Sequence, residues 1–276
     1  HASNFIFPVD HNKEMALLGV QSANQYRDVE RSVDSGGIEV ARTPERMDEF
    51  QRRMTSAKAW GVEAELLTPA QVKELVPFIN ENVILGGFSC PSVSVVDSLD
   101  TGTLFRNEAI EKTGLKVFAN TEVLDVETED EPGTGLQKVT AVVTDKGRIE
   151  AEYVVVACGV WSNRIANMAG ATIPLVPAVH QMADVGPMDI LAETQSEISY
   201  PIVRDMDTFC YERQSSGSME VGSYAHRPIL HHPDDIPSNE EAALSPTEMP
   251  FTPDDFDQQM EEAIELMDML GDAEIK

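Results

Sequence analysis

The chain's 276 residues leave room for two domains, and a hydrophobic content of 42% supports a sizeable core. Its 48 acidic against 20 basic residues, a net charge of −28, make nucleic acid and anionic membrane poor partners and fit a solvated acidic surface. Three cysteines, Cys90, Cys158 and Cys210, are too few and too widely spaced for a disulfide framework or a zinc site. They fit a reducing, cytoplasmic setting, and neither a membrane-spanning apolar run nor a signal peptide is visible.

From the amino terminus, residues 11–30 predict a helix with Met15, Leu18 and Val20 among its apolar positions. A short strand is expected at residues 38–41, after Gly36-Gly37. Thr43-Pro44 opens a helix, because threonine caps a first turn and proline suits the first helical position, and Gly61 stops it. Leu67-Thr68-Pro69 repeats that start for a shorter helix ending near Leu75, and residues 83–89 read as a strand. Residues 97–113 predict a helix with Leu99, Leu104, Ala109 and Ile110 apolar and Gly114 at its end. Strands are expected at residues 115–119, 122–128, 139–144 and 149–156, with Glu131-Pro132-Gly133-Thr134-Gly135 as a hairpin turn. Asn163 to Ala169 forms the next helix, closed by Gly170. Past Ala171 the pattern becomes partly alternating, over residues 172–186 and 202–223, which is antiparallel character. A proline-rich loop follows, and Thr252-Pro253 opens a final helix whose apolar stripe is Phe256, Met260, Ala263, Met267 and Leu270.

The stretch Glu152-Tyr153-Val154-Val155-Val156-Ala157-Cys158-Gly159-Val160-Trp161-Ser162 carries the strongest chemical signal. A strand apolar on both faces belongs in the middle of a covered parallel sheet, and small residues at its carboxyl end let a ligand approach the main chain. The dinucleotide fingerprint G-x-G-x-x-G is nevertheless missing. Its nearest match, Gly133-Thr134-Gly135, has Lys138 in place of the third glycine and precedes a strand, so it reads as a hairpin turn. Either no dinucleotide binds, or the glycine loop precedes His1.

The run from Glu152 to Met182, with Ala157, Gly159, Trp161-Ser162, Ala169-Gly170, Pro174-Leu175, Pro177 and His180-Gln181, resembles the FAD-dependent amine oxidoreductases of the D-amino-acid oxidase superfamily. Within that superfamily it is similar to the sarcosine and dimethylglycine dehydrogenases. Residues 201–224 resemble the substrate-domain hairpin of the same group, and Val93 to Leu99 its return from substrate to cofactor domain. The resemblance implies an α/β fold, α+β overall: part of a Rossmann-like FAD-binding domain with a second, largely antiparallel substrate domain. It divides the chain into cofactor-domain parts at residues 1–30 and 88–170 and substrate-domain parts at 31–87 and 171–276. The glycine loop is then expected upstream of His1, and a flavin-facing segment after Lys276, so that the chain reads as an internal fragment.

By the same resemblance, Val123 would meet the adenine side of FAD, and Ala157, Cys158 and Gly159 would pass close to the dinucleotide. Taken alone, Cys158 reads as a buried small residue, and Trp161 as a cofactor neighbour or a helix-start anchor. His1 corresponds to a histidine that carries a covalently attached flavin; the other reading is a free terminal histidine. Tyr211 and Arg213 are substrate candidates by position, although a strand arginine is more often a surface residue. His180 either faces the site or satisfies a core hydrogen bond, and His231-His232 reads as solvated. The expected reaction is oxidation of a small secondary or tertiary amine by hydride transfer to flavin. Two other readings stay open: a relative acting on another amino acid or small hydroxy acid, and a silent acidic scaffold that retains no flavin. The partner is a small amine, and neither the electron acceptor nor the oligomeric state is legible.

Overall fold

Helix signals are written locally: those at Thr43-Pro44, Gly61 and Thr68-Pro69 are met where the sequence places them, whereas the first helix spans Lys13–Tyr26 and the last begins at Asp257, after a single turn at Pro253–Asp255. The computed structural model describes residues 4–275 apart from Asp28, Glu30, Arg31, Gln195, Asn239, Glu240, Ala243, Leu244 and Thr247. In chain order the elements are β1 (Phe5–Ile6), α1 (Lys13–Tyr26), β2 (Gly37–Ala41), α2 (Pro44–Trp60), β3 (Glu65–Leu67), α3 (Pro69–Leu75), β4 (Gly86–Cys90), β5 (Ser94–Val95) and α4 (Ser98–Thr113). They continue with β6 (Val123–Asp130), β7 (Gln137–Thr144), β8 (Gly147–Glu150), α5 (Ser162–Met168), β9 (Ala178–Val179), β10 (Gln181–Val185), β11 (Ile202–Asp205), β12 (Cys210–Ser215), β13 (Ser218–Ser223), β14 (Ile229–Leu230) and α6 (Asp257–Leu266). Thr43 caps α2 with Pro44 in its first turn and Gly61 at its end. Thr68 and Gln71 form a reciprocal capping box at α3.

Contacts divide the chain into two units, one of His1–Ala109, His180–Arg227 and Phe251–Lys276, the other of Ile110–Val179 and Pro228–Pro250. This is a different partition from the four-part division drawn from sequence, since the break falls inside α4. Among the described residues no helix is long and apolar enough to cross a membrane.

The first unit is built on a seven-stranded sheet in the order β10-β13-β12-β11-β2-β4-β3. Every neighbouring pair is antiparallel except β11 with β2. Alternation along each strand sends successive side chains to opposite faces. Ile38, Val40, Val203 and Val221 go to one face with Phe256, Met260, Ala263, Leu266, Met267 and Leu270. All five apolar positions expected in the last helix are buried, although Phe256 precedes α6 and Met267 and Leu270 follow it, each large side chain contributing roughly 1.5–3 kcal/mol. Ala41, Phe88, Cys90 and Ile202 go to the other face, with Phe50 and Ala57 of α2.

Two charged devices sit inside this sheet. Glu39 of β2, fully buried, pairs with Arg53 of α2 at 2.5 Å and with Arg204 of β11 at 3.0 Å. Arg53 lies over the Phe88 ring at 4.9 Å, and Arg204 over Phe7 at 5.0 Å. On the opposite face, Glu212 of β12 is also fully buried, and its carboxyl oxygens meet no hydrogen-bond partner among the described residues. Burial first, and then the nearby Asp205 charge, push its carboxyl well above the usual range against the pull of Arg42. A folded-state value raised in this way stabilises the fold at acid pH. That stabilisation is complete below the ordinary carboxylate range and is lost as pH climbs through the raised value. Glu212→Gln is therefore expected to raise stability at neutral and alkaline pH and to flatten its decline with pH. Denaturant midpoints measured across pH check this, and an unchanged slope would count against a buried neutral carboxyl.

The second unit holds the three-stranded antiparallel sheet β6-β7-β8 and the short pair β14-β9. The hairpin turn at residues 131–135 is met, closed by Glu131 N–H donating to the Leu136 carbonyl at 2.9 Å. Arg164 of α5 donates to the Pro233 and Ile236 carbonyls, the second at 3.1 Å. Two strand expectations fail here. Residues 115–119 form no strand, and the predicted strand at 149–156 stops with β8 at Glu150. Tyr153 and Val155 are each 87% exposed rather than buried on both faces. Their composition suits a central strand, but strands exist only as ladders, and no strand lies beside this run among the described residues. Helix α4 forms as expected yet buries none of its side chains, with Leu99 82% exposed.

Candidate active site

The site is built on the edge half of the large sheet, where β10, β13, β12 and β11 place their alternate residues side by side. Tyr211 of β12 is paired with Gly222 of β13 on one flank and with Arg204 of β11 on the other. A glycine is required at 222: a Cβ there would stand 2.1 Å from Tyr211 Cζ and 2.2 Å from its Oη. The tyrosine ring thus lies across bare main chain, steadied by the Phe5 ring at 5.7 Å in an edge-to-face contact.

That placement brings Tyr211 Oη to 2.8 Å from Nε2 of His180. Gln181 pairs with Ser223, so His180 and Tyr224 stand one step beyond the ladder. Their rings stack at 4.3 Å with 17° between planes. Burial first, then the Tyr224 and Glu220 charges, raise the Tyr211 phenol above its usual value against the pull of Arg213. Burial first, then His226, hold the His180 imidazole below its usual value. The pair is therefore a neutral phenol against a neutral imidazole at neutral pH, able to accept one proton that comes to rest on the imidazole.

Of the positions singled out from sequence, Tyr211 and Arg213 share this face, two residues apart on one strand. Arg213 is buried and ion-paired with Glu220, its cross-strand partner on β13, so its charge is matched within the protein. His180, left open between two readings, makes no core hydrogen bond: it is exposed, bonded to Tyr211 and stacked on Tyr224. Sequence reading missed Arg204, whose side chain is 28% exposed beside Tyr211. It also missed Tyr224, Gly222 and Phe5. Strand alternation after Ile202 carries the signal for Arg204, but its relation to Tyr211 needed the register of β11 with β12.

The cofactor candidates gather in the second unit. Val123 begins β6, half-buried, opposite Thr144. Ala157, Cys158 and Gly159 are all exposed. Cys158 is a free, exposed thiol and not the buried small residue expected, because the run before it never enters a sheet. Gly159 has φ +54, with nothing within 4 Å of a Cβ built there, and opens a single turn to Trp161 that leads into α5. Trp161 N–H donates to the Cys158 carbonyl at 3.1 Å. This open left-handed turn fits a large cofactor approaching the main chain, with Ala157, Cys158 and Gly159 as the residues that would hold it. His1 lies outside the described residues.

In fold class the chain is a mixed α/β protein similar to L-proline dehydrogenase from P. horikoshii, with a TM-score of 0.78 and 20% identity over 98% of this chain and 67% of that one. It is 31% identical over 200 residues to mitochondrial sarcosine dehydrogenase of Mus musculus, covering 72% of this chain and 21% of the relative. It is 28% identical over 189 residues to mitochondrial dimethylglycine dehydrogenase of Rattus norvegicus, covering 68% of this chain and 21% of the relative. The chain spans about a fifth of the length of these two curated relatives. The model of the DAO family, FAD dependent oxidoreductase, matches residues 2–276, and the chain belongs to that family.

Proposed function

We propose that the chain serves an FAD-dependent dehydrogenase or oxidase of small N-methyl amines of the sarcosine or dimethylglycine type. The observation that carries this reading is the 2.8 Å contact between Tyr211 Oη and His180 Nε2 inside an aromatic cluster. An amine reacts through its nitrogen lone pair, so a substrate that arrives as an ammonium ion has to lose a proton. Tyr211 is suited to take that proton while its own hydroxyl proton passes to Nε2 of His180. The phenol cannot be the resting base, because its surroundings keep it protonated. The Tyr224 ring, exposed and stacked on His180, offers a face that attracts an N-methyl cation. FAD, when bound, supplies the acceptor for the hydride leaving the carbon next to nitrogen. The residues around Gly159 belong to this proposal as its main-chain contacts, and His1 as the point of covalent attachment.

Anaerobic mixing of FAD-loaded protein with sarcosine or dimethylglycine is expected to bleach the visible flavin band. Bleaching by a small hydroxy acid or an unmethylated amino acid, with none from either N-methyl amine, would sink the substrate assignment. Acid precipitation then separates covalent from released flavin: colour left in the supernatant removes His1 from the proposal.

A further inference from the structure

A second imidazole stands beside the pair, and the reaction above makes no use of it. His226 lies two residues past Tyr224, with its ring centroid 6.3 Å from that of His180 and the planes 27° apart. The segment carrying it is pinned at three points. Tyr224 N–H donates to the Phe209 carbonyl at 3.1 Å. Ala225 N–H donates to Ser223 Oγ at 3.0 Å. Arg227 forms a two-pronged ion pair with Asp255 at 2.6 and 2.8 Å. The ring itself is oriented, since its Nδ1 lies 2.8 Å from the Arg227 carbonyl. A carbonyl oxygen only accepts, so Nδ1 carries the hydrogen and Nε2 is left to gain or lose a proton.

Two imidazoles at this separation oppose each other's charge, so a proton on one raises the cost of a proton on the other. Resting on the reading of His180 and Tyr211 as the proton acceptor, we propose that His226 is a positioning residue for that pair: a positive charge on its ring, held 6.3 Å from the His180 ring, opposes a second one there and keeps His180 open to the substrate's proton. The groups facing His180 are Tyr211 from β12 and Tyr224 and His226 from the segment after β13. Arg213 and Glu220, beside Tyr211, form a matched pair, and Arg227 is matched by Asp255. Of the groups facing His180, His226 is thus the one able to carry a positive charge. After burial it is the second cause that lowers the His180 value, the direction this arrangement requires.

Histidine Cε1–H NMR titration reads each imidazole directly and needs neither flavin nor turnover. His226→Gln is expected to move the His180 titration upward by about 0.5 to 1 pH unit. His226→Lys, which keeps a positive charge, is expected to leave it at or below the wild-type position. No upward shift in His226→Gln overturns the proposal. So does the same upward shift in both variants, which would mark a packing effect and not a charge effect. In FAD-loaded protein the acid limb of amine-driven flavin reduction is expected to follow His180, moving up in the glutamine variant and not in the lysine variant. A limb that stays put while the amine still reduces flavin also overturns it. NMR shifts without any amine-driven reduction would retire the amine-oxidation reading and keep the coupling between the rings.

Discussion

Tyr211→Phe in the FAD-loaded protein is expected to slow amine-driven flavin reduction by about 100- to 10,000-fold, the span typical of a lost general acid–base group. The substitution keeps the ring over Gly222 and its contact with Phe5, and removes only the oxygen that bonds His180 Nε2. His180→Gln should cost a similar factor. The double variant should be little worse than either single one, because two groups that move one proton act as a unit. A packing role would not reproduce the pH dependence: the deficit should shrink as pH approaches the substrate's own ammonium range, where water removes the proton unaided. Rapid-mixing rates at saturating amine across pH decide it. A deficit that is constant with pH would show that the hydroxyl is not moving the substrate's proton.

The largest effect on stability is expected at Glu39. Its two carboxylate oxygens engage Arg53 and Arg204, and the Arg53 side chain is only 6% exposed. Glu39→Ala leaves Arg53 a charge without a carboxylate beneath the Phe88 ring, which costs about 3–5 kcal/mol. That is a large share of the roughly 5–15 kcal/mol that holds a domain folded. Glu39→Met combined with Arg53→Met should recover part of the loss, because a buried ion pair is often replaceable by well-packed apolar residues. Urea midpoints for the single and double variants measure both effects. A single variant within 1 kcal/mol of wild type, at about the level of an exposed pair, would mean that solvent reaches the site.

Signals read over a few residues served well here. The start and stop of α2, the capping box of α3, the hairpin between β6 and β7 and the buried stripe of α6 depend on neighbours within one or two turns, and each was legible. The run from Tyr153 to Val156 was misleading for the opposite reason. Apolar composition describes the surroundings a segment suits, and only a strand at its side can supply the ladder. Cys158 was misplaced by the same inference. Helix α4 had a recognisable pattern, but a pattern does not say whether anything covers the face.

The candidate site was half legible. Tyr211, Arg213 and His180 could be singled out by position, and the resemblance marked the Ala157–Gly159 turn. That Arg213 is matched by Glu220, and that Tyr211 reaches His180 and not solvent, could not be seen along the chain. The sequence by itself determined where α2 and α3 begin and where α2 ends, which residues alternate to the same face of a strand, and the family to which the chain belongs. The tertiary structure decided which of those faces meet. His180 and Tyr211 are separated by 31 residues, and Glu39 and Arg204 by 165. Their contacts arise from the order in which β10, β13, β12, β11 and β2 line up and from the register of each pair. Alternation is a local property of a strand, whereas order and register are set by which sheet buries the most apolar surface with every main-chain group paired.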